Sequence, residues 1–176
     1  TYNDAGDLIA LTDGDGKTTR HTYDASRRKT STIYPDGMRQ TWTYDAAGRL
    51  VETGSPDGVV TRRIYDAKDR VVETTDSLGR VNRFTYDAAG RRLSSTDPLG
   101  RVTRWTYDLA DRELSVQRAD GTTTRKEYDI NGLVVAAINA AGNVTRFGYN
   151  LSGEMVALTD ANGNTTRYGY DQAGNL

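Results

Sequence analysis

Tyrosine recurs every 21 residues and sets the period of the hydrophobic and polar positions along the chain. A fixed period of this length is typical of one small structural unit that is copied along the sequence, with each copy burying its apolar side against its neighbours. The pattern predicts a single array over residues 1–176, with eight full repeats at 2–169 and the start of a ninth at 170–176. The repeated position is occupied by Tyr2, Tyr23, Tyr44, Tyr65, Tyr86, Tyr107, Tyr128, Tyr149 and Tyr170.

Two short segments in each repeat have the composition of β-strands. The segment that ends at the tyrosine is rich in β-branched and aromatic residues, as at 101–107, 143–149 and 164–170. Alternation along the first of these places Trp105 and Tyr107 on one face and Arg104 on the other. No apolar stripe with a 3.6-residue period fits between the turns, so the pattern predicts an all-β fold. The second segment carries an apolar residue at Ile9, Val51, Val72, Leu93, Leu114, Val135 and Val156, with Thr30 as the exception.

Each repeat also contains two turns. In the first, the tyrosine is followed by Asp or Asn, whose side chain can accept hydrogen bonds from the backbone ahead. A glycine stands four residues after the tyrosine except at Arg27, Asp69 and Asp111, which indicates that a positive φ is preferred there without being obligatory. The second turn has a glycine in every copy, and Pro35 and Pro56 stand two residues before it, as in a type I turn. These glycines are Gly16, Gly37, Gly58, Gly79, Gly100, Gly121, Gly142 and Gly163.

A column of arginines three residues before the tyrosine distinguishes two β architectures. In a parallel β-helix with one coil per repeat, these charges would stack about 4.8 Å apart, which is costly. In a meander with two strands per repeat, they would lie about 9.6 Å apart, near the Debye length in physiological salt. The meander is therefore predicted, as a sheet of about sixteen strands that is long enough to curl. The column consists of Arg20, Arg62, Arg83, Arg104, Arg125, Arg146 and Arg167, with Thr41 as the substitute.

Composition narrows the classes of function. Only 36% of the residues are hydrophobic, so the apolar residues must form a thin layer. The net charge of -1 gives no field that would attract nucleic acid or an anionic membrane, and no apolar run is long enough for a membrane helix. Cysteine is absent, which excludes disulfides and thiolate metal sites.

The repeats offer few candidates for chemistry, and we assign no catalytic, cofactor-binding or metal-binding residue. His21 is the one histidine, in a slot that is aromatic in most other copies, which favours a structural role. The aspartates after each tyrosine recur with the turn, so capping explains them better than acid–base chemistry does. The run Asp13-Gly-Asp-Gly16 resembles the start of a calcium loop but lacks the distal glutamate. Stacking of bases or sugars on the tyrosine and arginine columns is the alternative to packing between repeats, and binding would lie at the variable loop positions.

Two motifs of this chain resemble the Rhs or YD repeat. The first is Tyr-Asp-Ala-Ala-Gly-Arg at 44–49 and again at 86–91, and the second is Thr-Asp-Pro-Leu-Gly-Arg-Val-Thr-Arg at 96–104. The resemblance extends over the whole chain in register. It implies a spiralling antiparallel sheet that closes into a hollow shell. Bacterial relatives of this kind, the Rhs polymorphic toxins and the B and C components of insecticidal Tc toxins, hold a cleaved toxic C-terminal domain inside the shell, and animal teneurins use a similar shell for adhesion.

The resemblance implies that this chain is a structural wall segment of a secreted bacterial effector and not an enzyme. Its partners would be its own C-terminal toxin domain, the rest of the shell and, through regions outside this sequence, secretion machinery or a chaperone; no nucleic acid or membrane partner is expected. An adhesion or glycan-binding module is the alternative. The self-cleaving aspartyl protease segment of bacterial shells has no counterpart here, so we expect a fragment whose exposed strand edges favour self-association.

Overall fold

The computed structural model describes residues 1–171 and 173–175, and every regular element in this part of the chain is a β-strand. Each strand is short because a turn residue interrupts the chain about every ten positions. The strands are β1 (Ala10–Thr12), β2 (Thr18–Tyr23), β3 (Lys29–Ile33), β4 (Arg39–Tyr44), β5 (Leu50–Gly54), β6 (Val60–Tyr65), β7 (Val71–Asp76), β8 (Val81–Tyr86), β9 (Arg92–Thr96), β10 (Val102–Tyr107), β11 (Glu113–Gln117), β12 (Thr123–Tyr128), β13 (Val134–Ile138), β14 (Val144–Tyr149), β15 (Met155–Thr159) and β16 (Thr165–Arg167).

The chain divides into two compact units, Thr1–Phe84 and Thr85–Leu176. Within the first unit, each strand from β1 to β7 pairs antiparallel with the next one in the chain. Within the second unit the same is true from β9 to β16. Two antiparallel strands per repeat are what the arginine column predicts, so the meander is confirmed and the parallel β-helix is excluded.

The register shifts by one residue just before the repeat tyrosine. In the second unit this bulge lies between Thr106 and Tyr107, where Tyr107 pairs with Glu113 while Thr106 pairs with Ser115. A β-bulge bends the strand and redirects a side chain. The bulge recurs at the equivalent positions of the strands that end at Tyr23, Tyr44, Tyr65, Tyr128 and Tyr149.

The two faces of the strands differ in exposure. Along β10, Arg104 and Thr106 are exposed whereas Trp105 and Tyr107 are half-buried, as the alternation predicts. We call the side that carries Arg104 and its equivalents the arginine face, and the opposite side the tyrosine face. Among the described residues, Ala136 is the one apolar side chain that is fully buried, so the expected thin apolar layer is confirmed.

No stretch of the described residues forms a helix long and apolar enough to cross a membrane.

Candidate functional site: the joint between repeats

Both turns of each repeat close with the same pair of backbone hydrogen bonds. At Pro35 the Tyr34 amide donates to the Met38 carbonyl at 2.9 Å, and the Gly37 amide donates to the Tyr34 carbonyl at 2.9 Å. This is a three-residue hairpin loop in which a type I turn is followed by a residue with positive φ. The turn predicted from the proline and glycine spacing is therefore present.

The prediction that the first turn does not require a positive φ is wrong. The backbone at Arg27, Asp69 and Asp111 has φ angles of 61°, 59° and 64°, in the same left-handed region as the glycines that occupy this slot in other repeats. The hairpin bonds fix this conformation whichever side chain occupies the slot. The three non-glycine side chains each form an ion pair with the residue twenty positions earlier, between Arg27 and Asp7, Asp69 and Arg49, and Asp111 and Arg91, at 2.8 Å each.

An aspartate or asparagine side chain caps most of these hairpins. In the turn after Tyr107, Asp108 Oδ1 accepts the amides of Ala110 and Arg112 at 2.8 and 3.0 Å, and Oδ2 accepts Arg112 Nε at 2.6 Å. The hydrogen bonds from the Arg112 backbone and guanidinium lower the pKa of Asp108, against the opposing effect of burial. The side-chain hydrogen bond from Arg70 likewise lowers the pKa of Asp66 to about 2. The capping role predicted for the aspartate after the tyrosine is confirmed.

The arginine five residues after the tyrosine joins one repeat to the next. Arg112 stacks on the Tyr128 ring with 4.8 Å from Cζ to the ring centroid, and its Nη1 donates to the Asp129 carbonyl at 2.9 Å. Arg91 makes the same contacts with the following repeat, stacking on Tyr107 at 5.0 Å and donating to the Asp108 carbonyl at 2.7 Å. A cation on an aromatic face that also bonds a carbonyl fixes both the distance and the orientation of adjacent repeats. In the first unit the same stacking joins Arg28 to Tyr44 and Arg49 to Tyr65.

The tyrosine hydroxyls form the second contact between adjacent repeats, and we call this contact and the stacked arginine together the joint. Tyr128 donates to the Glu113 carbonyl at 2.8 Å, and Tyr149 donates to the Val134 carbonyl at 2.9 Å, each fifteen residues upstream. Tyr128 is thus anchored at both ends, by the Arg112 guanidinium on its ring and by a backbone acceptor at its hydroxyl. The same bond over fifteen residues is made by Tyr23, Tyr44, Tyr65, Tyr107 and Tyr170.

Sequence reasoning placed the tyrosines and glycines in the repeat but missed the arginine that stacks on the tyrosine. The signal was available in the motif Tyr-Asp-x-x-Gly-Arg, which holds this arginine five residues after the tyrosine at positions 28, 49, 70, 91 and 112. Its slot changes to Leu133 and then Glu154 in later repeats, so the joint there relies on the tyrosine hydroxyl without the cation.

The other candidates have local partners. His21 Nδ1 lies 2.9 Å from Thr32 Oγ1, and burial together with the charge of Lys29 lowers the pKa of this histidine. In the calcium-like run, Asp13 Oδ1 accepts the amides of Asp15 and Lys17 at 3.0 and 2.9 Å, which is the hairpin cap found elsewhere. No cluster of three or more potential metal-binding side chains occurs in the part of the chain that the structure describes.

The repeats match a known family. The RHS repeat family model matches residues 2–41, 30–61, 44–81, 65–98, 86–123, 128–165 and 149–176. A comparison with curated proteins gives no match.

Solved structures with a similar fold include Tc toxin assemblies. The crystal structure of TcdB2-TccC3-TEV aligns with a TM-score of 0.64 and 19% identity, covering 99% of this chain and 12% of that one. The crystal structure of TcdB2-TccC3 aligns with a TM-score of 0.57 and 20% identity, over 99% of this chain and 13% of that one. The Tc holotoxin pore of Photorhabdus luminescens aligns with a TM-score of 0.53 and 20% identity, over 94% of this chain and 12% of that one. This chain therefore spans only a small part of the length of these proteins, with which it shares its fold. Because the matches to the repeat model together extend over most of the sequence, the chain belongs to the RHS repeat family.

Proposed function

We propose that this chain is a section of the wall of an Rhs-type β-shell that encloses the C-terminal toxin polypeptide of a secreted bacterial effector. The observation that carries the proposal is the alignment of 99% of the chain with the fold of TcdB2-TccC3. The parent in this proposal is a polymorphic toxin, made in the bacterial cytoplasm and exported, for example by type VI secretion.

The joint between repeats supports a structural role. A wall must keep its strands paired over a long distance, and most adjacent repeats here are joined by the tyrosine hydroxyl and, in several copies, by a stacked arginine. Continuous pairing leaves few free strand edges, which limits both aggregation and access by proteases. Such a wall separates an enclosed polypeptide from the solution outside.

The carboxylates of the repeats support a wall without catalysis. Asp66 and Asp108 accept hydrogen bonds from the turn backbone and from an arginine, which holds their pKa below the ordinary value. A general acid at neutral pH needs a raised pKa instead. In our proposal any toxin or protease activity of the parent therefore belongs to regions outside these repeats.

The test is limited proteolysis of the full-length protein that carries this array, with mass spectrometry of the surviving fragments. We expect a resistant particle that retains a separate, protected C-terminal fragment. The control is the same digestion after denaturation, in which the C-terminal fragment must be cut. If the repeats survive in the native digest while every downstream fragment is degraded, the chain does not enclose a polypeptide, and screening of glycans and cell-surface ligands on the turns becomes the next experiment.

A further inference from the structure

The arginine face of the second unit carries a column of cations without partners. Four successive repeats each place one arginine on this face, and all four side chains are exposed. None of them forms an ion pair or a side-chain hydrogen bond with any residue that the structure describes. We call this column the arginine ladder; it consists of Arg104, Arg125, Arg146 and Arg167.

Two arginines of the same column are neutralised in the first unit. Arg62 Nε lies 2.8 Å from Glu52 Oε2, and the two residues are register partners on adjacent strands. Arg83 Nε lies 3.0 Å from Glu73 Oε2 in the same arrangement. In the second unit the position of the glutamate is taken by a small residue opposite each arginine of the ladder, namely Ser94, Ser115, Ala136 and Ala157.

Because serine and alanine side chains are short, they do not pair with the guanidinium groups, and they leave a shallow depression between neighbouring ladder arginines. Ala136 is only 4% exposed, so it lies at the bottom of the surface beside Arg146. The hydroxyl of Ser115 is already bonded to Thr106 at 2.7 Å and does not compete for the cations. Glu127 lies two residues after Arg125 on the same strand, and it forms no ion pair with a ladder arginine in the part of the chain that the structure describes.

The distance between neighbouring ladder arginines matches the distance between side chains on one side of an extended polypeptide. Equivalent residues of adjacent repeats are two strands apart, about 9.6 Å at about 4.8 Å per strand. A polyproline II chain has three residues per turn and rises about 3.1 Å per residue, so every third side chain lies on one side about 9.3 Å from the last. A fully extended strand repeats on one side every two residues, at about 6.6 Å, and does not match. A nucleic acid strand carries a phosphate on every nucleotide, at about 3.4 Å along a duplex, so most of its phosphates would lie between the arginines without a partner.

We propose that the arginine ladder binds an acidic polypeptide segment in the polyproline II conformation, with a carboxylate at every third residue. Arginine donates charge-assisted hydrogen bonds to carboxylates in a planar, bidentate geometry. Polyproline II is a major conformation of unfolded chains, so the ladder holds a segment that has not folded. The proposal rests on the proposed function only for the natural occupant, an acidic unfolded stretch of the enclosed polypeptide.

The test measures fluorescence anisotropy of labelled peptides on the whole 176-residue chain. The probe is a repeated Glu-Pro-Pro peptide, and the composition control groups the same glutamates at one end. We expect the evenly spaced peptide to bind more tightly, with an affinity that falls as salt rises towards physiological ionic strength.

A pair of double variants locates the binding. Arg125→Gln with Arg146→Gln removes the middle of the ladder, and we expect about tenfold weaker binding, which is about 1.4 kcal/mol for the two lost exposed ion pairs together. The matched control is Arg62→Gln with Arg83→Gln, which removes the same number of charges from the neutralised column and leaves the affinity unchanged. Circular dichroism shows whether both variants keep the β-sheet.

Three results would overturn the proposal. Equal binding of the two peptides means that spacing is irrelevant, and equal weakening by both double variants means that only net charge matters. Tighter binding of a single-stranded oligonucleotide than of the evenly spaced peptide, lost in the ladder variant, identifies a nucleic acid surface instead. Each of these outcomes is independent of whether the parent protects a C-terminal fragment from protease.

Discussion

Replacement of Arg112 by alanine tests whether the stacked arginine holds adjacent repeats together. Arg112 makes three interactions: the cap ion pair with Asp108 at 2.6 Å, the stack on Tyr128 at 4.8 Å and the hydrogen bond to the Asp129 carbonyl at 2.9 Å. Its side chain is 29% exposed, so solvent only partly screens these contacts.

Arg101 is the matched control because it makes the first interaction only. Its Nε lies 2.6 Å from Asp97 Oδ2 in a hairpin of the same geometry, but its side chain is 65% exposed, and no stack or bond to a neighbouring repeat is found for it among the described residues. The cap ion pair is common to both variants and cancels in the comparison. What remains is the stack, about 0.5–1 kcal/mol, and one hydrogen bond to a carbonyl, about 1 kcal/mol. Arg112→Ala is therefore expected to lower the free energy of unfolding by about 1.5–2 kcal/mol more than Arg101→Ala does.

Urea denaturation followed by far-ultraviolet circular dichroism and by tryptophan fluorescence measures this difference. Trp105 is in the same unit as both substitutions and reports on it. A repeat array can unfold in parts, so the two signals must coincide before a single free energy is extracted. If the two variants lose the same stability, the arginine contributes no more than its cap, and tyrosine packing alone joins the repeats.

Three further substitutions or conditions have expected outcomes. Tyr128→Phe removes the hydroxyl bonded to the Glu113 carbonyl and should cost about 1 kcal/mol in urea denaturation; no loss would mean that water replaces the bond. Gly121→Ala places a side chain where φ is 84° and no atom lies within 4 Å of the new Cβ. Backbone strain alone should then cost about 1–2 kcal/mol, and an unchanged urea midpoint would show that the hairpin tolerates alanine. The pKa of Asp66 falls from 3.8 to about 2 on folding. Its contribution is therefore complete above about pH 4 and is lost as the pH falls towards 2, so urea midpoints should decrease over that interval.

The fold could be predicted from the sequence because single residue types recur at fixed positions of the 21-residue repeat. Gly121 and Tyr128 recur without exception in their columns, and the arginine column decided between two β architectures by the distance between like charges. Those arguments depend only on local geometry and on strand spacing, which are the same in every sheet.

The joint between repeats could not be predicted in the same way. Arg112 and Tyr128 are sixteen residues apart, and their contact depends on the strand register and on the bulge before the tyrosine. The positive φ at Asp111 was missed for a related reason, because the preference of a single residue was weighed without the two hydrogen bonds that close the hairpin around it. The carboxylate partner of Arg62 was missed as well, since Glu52 is ten residues away along the chain and only the strand register brings the two together.

The hydroxyl bond of the repeat tyrosine spans fifteen residues, as at Tyr128 and Tyr149. Every tie of this kind is therefore complete within two neighbouring copies, and a recombination event that removes or duplicates 21 codons joins strands that already fit one another. The length of such an array can change during evolution by whole repeats at little structural cost, whereas an insertion of any other length breaks the register of tyrosine and acceptor. If the array is the wall that we propose, selection on the enclosed volume can act through the number of copies, without requiring new contacts to arise by point mutation.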